Sequence, residues 1–263
     1  MSRTVRILFL GDVVGQPGVR AVFTHLRSLI KKFKADFTLL NGENASRGFG
    51  LTPEIAETFR TVGVDCITSG NHIWQDDSIF PLLQKGNFVL RPANYPLNDF
   101  GSGCTVLEKA GLKLGVLNVM GRHQLAYIDC PFKRAAKWAR ETKVQTPLLF
   151  VDFHAELPEE KEALAYYLEG KVTAVIGTHT HVQTADERII SGQTAYMTDA
   201  GMVGAVPSVI GGDPQASVER QLTMMPVKME PAEGACVIQG VLTEADAETG
   251  RALSVERFSE SVF

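Results

Sequence analysis

Histidine, carboxylate and amide side chains stand directly behind short apolar runs in this chain. Asp12 follows the run 7–10, Glu43 follows 37–40, and Asn71-His72 follows 66–69. Further along, His154 follows 148–152, and His179 and His181 follow 172–176. Four of the six histidines sit in such places, a distribution that chance would scatter. Two carboxylates, one amide and up to four imidazoles form a donor set suited to iron, manganese or zinc rather than calcium. Two such cations about 3.5–4 Å apart repel each other and need a bridging carboxylate. His179 and His181 are two residues apart, so on an extended strand their rings point to opposite sides. They reach one site if the chain curls there, or each serves a different ion of a pair, and the second option fits a two-metal site.

These side chains meet only on a scaffold that aligns the strand ends. Residues 7–10 read as a buried strand, followed by a glycine-punctuated turn over 11–18. Val19, Val22, Phe23, Leu26, Ile30 and Phe33 then recur at helical spacing. A strand over 37–40 ends in Asn41-Gly42-Glu43-Asn44, and Thr52-Pro53 reads as a cap and first helical residue. A third strand over 66–69 completes a β-α-β-α-β rhythm, in which strand ends converge on one rim. Later come a hairpin over 104–108 and 112–120, a helix over 131–142, a strand over 148–152, a helix over 158–169 and a strand over 172–176. Short strands are expected over 188–190, 194–198, 235–242 and 253–258. The Gly-, Pro- and Met-rich stretch 202–230 reads as a long surface excursion, whose apolar part near Met202 to Met225 would suit a homo-oligomer.

Composition narrows the function classes. The 263 residues are 44% hydrophobic and 21% charged, enough for a buried core and too ordered a mixture for disorder. The formal charge of -4 argues against a broad grip on duplex nucleic acid or on an anionic membrane. No apolar run reaches the ~20 residues of a membrane span, and residues 7–10 are too few for the apolar region of a signal peptide. Cys66, Cys104, Cys130 and Cys236 are far apart, which predicts four buried thiols in a reducing compartment. A cytoplasmic location and one domain over 1–263 are the expectation.

Gly70-Asn71-His72, a lone His154 and Gly177-Thr178-His179-Thr180-His181 together resemble the calcineurin-like metallophosphoesterases. Two motifs depart from that pattern. Asp12-Val13-Val14 carries a valine in place of a metal-binding histidine, and Gly42-Glu43-Asn44 carries a glutamate in place of the bridging aspartate. Both departures resemble the bacterial YmdB-like branch over nearly the whole chain. The resemblance implies an α/β/β/α sandwich forming one metallophosphoesterase domain, with a metal site at the C-terminal strand ends. It implies two divalent or mixed-valence ions, iron or manganese with zinc as the alternative. Asp12, Glu43 and His181 would hold the first, and Glu43 would bridge to the second, completed by Asn71, His154 and His179. His72 would be the acid beside the leaving oxygen, and Asn44 would hydrogen-bond the phosphate or the bound water. A metal-bridging hydroxide would attack phosphorus in small phosphodiesters such as 2′,3′-cyclic nucleotides.

Two other readings stay open on the sequence. One is a phosphomonoesterase; the other is a regulator that binds a nucleotide and turns it over incidentally. Gly11-Asp12-Val13-Val14-Gly15-Gln16-Pro17-Gly18 matches neither a dinucleotide fingerprint nor a P-loop. His25, His123 and Asp199 read as structural or solvated. Asp152 reads as either a support of the metal ligands or a buried structural group, and Ser46 and Arg47 as either substrate contacts or parts of a glycine-rich loop.

Overall fold

The computed structural model describes residues 3–96 and 100–263; Met1 and Ser2 of the N-terminal stretch lie outside the described residues. In chain order the first elements are β1 (Thr4–Val13), α1 (Gly15–Phe33), β2 (Phe37–Asn41), α2 (Pro53–Val62), β3 (Cys66–Thr68) and α3 (Phe80–Gln84). Next come β4 (Cys104–Lys109), β5 (Leu112–Met120), α4 (Pro131–Thr142), β6 (Leu149–His154), α5 (Pro158–Tyr167) and β7 (Ala174–Thr178). The chain ends with β8 (Arg188–Ile190), β9 (Thr194–Met197), β10 (Met202–Ala205), α6 (Pro214–Thr223), β11 (Cys236–Asp246) and β12 (Ala252–Val262).

The strands form two sheets, ordered β12-β11-β10-β1-β2-β3 and β4-β5-β6-β7-β9-β8. Strands β10, β1, β2 and β3 run parallel in the first, and β5, β6, β7 and β9 run parallel in the second. Strand alternation decides what each face packs against. Leu8, Leu10 and Leu40 turn outward onto Val22 and Leu26 of α1 and Phe59 of α2. Ile7, Phe9, Phe37 and Leu39 turn inward and meet Val116, Phe150 and Ile176 of the other sheet, with the Phe9 and Phe150 rings 5.1 Å apart. On the far side, Leu149, Val151, Phe153 and Val175 bury against Trp138 of α4 and Leu164 of α5. The result is the expected four-layer α/β/β/α sandwich.

Local signals placed several elements closely. Thr52 caps α2 through a hydrogen bond from the Ile55 amide, with Pro53 in the first turn, and α4 spans the expected 131–142. Other expectations need correction. Residues 202–230 are not a surface excursion throughout, because 202–205 form β10, buried beside β1, and 214–223 form α6. The exposed apolar residues of this region begin at Val206, whereas Met202 belongs to the core. Strand β1 runs on through Asp12 and Val13 because both pair with β10, so the expected turn over 11–18 shrinks to the approach to α1. Helix α5 stops at Tyr167, two residues early, where the chain tightens into a turn that leads to Gly170 in the left-handed region. Cys66 and Cys236 are buried, but Cys104 and Cys130 are partly exposed. Among the described residues no helix is long and apolar enough to cross a membrane.

Candidate metal centre

Alternation that buries leucines also aims the polar residues at the strand ends. On β6, Phe150 faces the other sheet, so Asp152 and His154 face it too. On β7 the same rule sends Ile176 and Thr178 inward, and on β2 it sends Leu39 and Asn41 inward. Asp12 would follow Leu8 and Leu10 outward, but the register of β1 shifts between Leu10 and Asp12. Val13 accordingly joins the outward cluster with Leu10, and Asp12 turns inward. One irregularity of this kind is enough to re-aim a side chain.

All eight proposed site residues meet at that rim. Glu43 Oε1 lies 2.9 Å from His154 Nε2. His154 Nε2 lies 3.0 Å from His179 Nδ1 and 3.2 Å from Asn71 Oδ1. Asp12 Oδ2 accepts the His179 backbone N–H at 3.0 Å, and Asp12 Oδ1 is 3.8 Å from His181 Nε2. The Asn44 amide donates to Asp12 Oδ1 (3.3 Å) and to His181 Nε2 (3.2 Å), while its oxygen accepts from His72 Nδ1 at 2.7 Å. Glu43 Oε2 accepts the His72 backbone N–H at 2.8 Å. Asp12, Glu43 and His154 have no exposed surface.

Of the two possibilities left open by their spacing, the first is found: the chain curls at His179 and His181. Both adopt left-handed backbone, with φ of 105° and 62°, which costs a non-glycine residue of order 1–3 kcal/mol. Buried carboxylates hold the curl: Asp12 takes the His179 amide and Asp199 Oδ2 takes the Thr180 amide at 3.1 Å. Asp199 is in turn paired at 2.8 Å with Lys161, and neither has exposed surface. Gly70 is required for a different reason. A Cβ there would stand 2.1 Å from the His154 ring, so only glycine lets Asn71 approach that histidine.

Hydrogen bonding fixes which ring nitrogen carries a proton. His154 Nδ1 donates to Thr178 Oγ1 at 3.0 Å, and that hydroxyl donates to Asp152 Oδ1 at 2.7 Å. His179 Nε2 donates to Glu156 Oε2 at 2.9 Å. His181 Nδ1 donates to the Ile210 carbonyl at 2.7 Å. The other nitrogen of each ring therefore presents a lone pair inward. Burial lowers the pKa of His154 and His179, which keeps the rings neutral, and raises those of Asp12 and Glu43.

This arrangement fits cations. One atom each from Glu43, His154 and His179 all lie within 4.8 Å of one another. Glu43 Oε1 is buried with no hydrogen-bond donor. Lone pairs converging on a carboxylate oxygen repel unless a positive ion lies among them. Five supporting residues had not been assigned from sequence: Asn41, Asn118, Glu156, Lys161 and Thr178. Asn118 holds both backbone atoms of Ser69, at 3.0 Å and 2.8 Å, and so ties the Gly70-Asn71 turn to the second sheet. Its polar side chain within the apolar run 116–120 was a usable signal. A cavity of about 300 Å³ opens beside His72, His179 and His181.

Known proteins resemble the chain over nearly its full length. A family model described as YmdB-like protein matches residues 8–258. A 2′,3′-cyclic-nucleotide 2′-phosphodiesterase of Bacillus subtilis (strain 168) is 43% identical over 253 residues, covering 96% of each chain. A crystal structure of a Mycoplasma pneumoniae protein, described as a novel phosphatase, superimposes with a TM-score of 0.93 at 32% identity, covering 100% of this chain and 95% of that one. A structure described as a hypothetical protein from Thermus thermophilus gives a TM-score of 0.91 at 38% identity, covering 98% of this chain and 100% of that one.

Proposed function

The chain belongs to the YmdB-like protein family, and from that premise we propose that it is a metal-dependent phosphodiesterase acting on small phosphodiesters, 2′,3′-cyclic nucleotides first among them. The convergence of Glu43, His154 and His179 on one point, each imidazole tied outward by its second nitrogen, carries this reading. Asp12, Glu43 and His181 would hold one cation; Glu43, Asn71, His154 and His179 would hold the other. Bound divalent cations supply Lewis acidity and positive charge opposite the charge that develops on the phosphoryl oxygens.

The chain's own groups do the rest. Asn44 holds His72 by Nδ1, so Nε2 is the nitrogen left for substrate, and His72 lines the cavity. In hydrolysis a bond forms from a water oxygen to phosphorus and one ester P–O bond breaks. With Nδ1–H held by Asn44, His72 donates from Nε2 only as an imidazolium, which burial opposes and the Glu43 carboxylate favours; the departing alkoxide would take that proton and the ring would recover one from the attacking water. Thr178 and Asp152 keep the His154 lone pair aimed inward, and Glu156 does the same for His179.

The test combines metal analysis of protein purified without added metal with assay of a 2′,3′-cyclic nucleotide. Iron, manganese or zinc near two ions per chain is expected, with turnover that chelation abolishes and metal restores. Turnover that survives exhaustive chelation would sink the reading. The Mycoplasma pneumoniae relative's description favours a second reading, a phosphomonoesterase. Faster turnover of a nucleoside monophosphate than of the cyclic diester would decide for it.

A further inference from the structure

The cavity beside the metal ligands differs in chemistry from the cluster itself. Its walls include Phe49, Val209, Ile210 and Pro231, its floor includes Val14, and Arg220 of α6 also lines it. Phe49 projects from a turn in which Arg47, Gly48 and Gly50 all adopt positive φ. Its ring is 44% exposed and meets the His72 ring edge-on at 4.8 Å. Ile210 is tied to the site just as directly. It gives its carbonyl to His181 and leaves its side chain 54% exposed, with a φ of 49° that is strained for a β-branched residue. Val14 lines the cavity and packs under the loop at Gly211, where a Cβ would lie 2.6 Å from it, so that it forms part of an apolar floor.

Resting on the phosphodiesterase reading, we infer that this cavity is a nucleobase subsite, with Phe49 stacking on the base while the phosphate lies at the metal cluster. Three observations select this occupant. The cavity is continuous with His72, His179 and His181, so its ligand and the phosphate are parts of one molecule. About 300 Å³ is at the small end for ligand pockets, suited to one nucleoside. An aromatic ring lining a cavity with aliphatic side chains is a surface that a flat heterocycle prefers. Arg220 lines the same cavity, and its guanidinium can donate to acceptors on the base edge.

The experiment compares two substrates with the same cyclic ester: a nucleoside 2′,3′-cyclic phosphate, and methyl riboside 2′,3′-cyclic phosphate, which has a methyl group in place of the base. Wild type is expected to favour the nucleotide in kcat/KM. Phe49→Ala should cut that preference about tenfold, through KM, within the contribution of one base–aromatic stack. The variant's KM for the base-less ester should stay within about twofold of wild type. Arg220→Met, on an exposed helix, should reduce the preference in the same direction. An unchanged preference in both variants overturns the subsite. Equal losses on both substrates in Phe49→Ala also overturn it, and leave Phe49 as a support for His72. A wild type that hydrolyses neither ester overturns the phosphodiesterase reading and the subsite with it, an outcome visible before any variant is made.

Discussion

His72 is held on two sides, by the Asn44 oxygen at Nδ1 and by Glu43 at its backbone amide. Neither hold occupies Nε2, which is left to carry the second proton of the imidazolium that a donor requires. Donation matters only when the leaving group is a poor one. His72→Ala is therefore expected to lose roughly 10²–10⁴-fold on an ester whose leaving group is a ribose alkoxide. It should lose far less on bis(p-nitrophenyl) phosphate, since nitrophenolate departs without a proton. Assays on both esters at matched metal content check this, and equal losses would exclude His72 as the donor. Asn44 illustrates what spacing cannot reveal. Its position after Glu43 put it near the site, but only the fold shows that its amide joins His72, Asp12 and His181.

Helix α5 contributes no ligand, yet it shapes the loop that carries two. Lys161 lies fully buried against Asp199, and Asp199 fixes the Thr180 amide between the two histidines. Breaking a buried pair from one side leaves an uncompensated charge. Lys161→Met is expected to cost roughly 3–5 kcal/mol of stability, read as a lower midpoint in denaturant unfolding. A change under about 1 kcal/mol would mean that Asp199 is compensated elsewhere. The sequence identified elements whose signals are local. Thr52 and Pro53 mark the start of α2, and Pro131 marks α4. It did not reveal β10, because four residues of Met202–Ala205 have no pattern of their own and become a strand only by pairing with β1 and β11. The extension of β1 through Asp12 was hidden for the same reason. The histidine curl was open on the sequence because its cause, the Asp12 and Asp199 carboxylates, lies elsewhere in the chain.

The two sheets share the candidate site. β1 and β2 lead to Asp12 and Glu43, whereas β6 and β7 lead to His154, His179 and His181. A cation bound there clamps the sandwich at one rim, so binding and stability are linked. At a free concentration 100 times the dissociation constant, binding adds about 2.7 kcal/mol. For a chain of this size the melting midpoint should then rise by roughly 5–10 °C over chelated protein. Scanning calorimetry with and without metal measures it. Coincident midpoints would mean that the folded protein holds no cation at the rim.

Strand β10 lies between β1 and β11 at the end of β1 where Asp12 emerges. During synthesis, all eight site residues have been translated once His181 is made, but the partner strand of Asp12 and the carbonyl that orients His181 come only with residues 202–210. A nascent polypeptide paused on the ribosome before that point has its ligands but lacks one of the two strands paired with Asp12 and the carbonyl that orients His181. Loading of a cation at this rim is expected to complete only after residues 202–210 have joined the sheet.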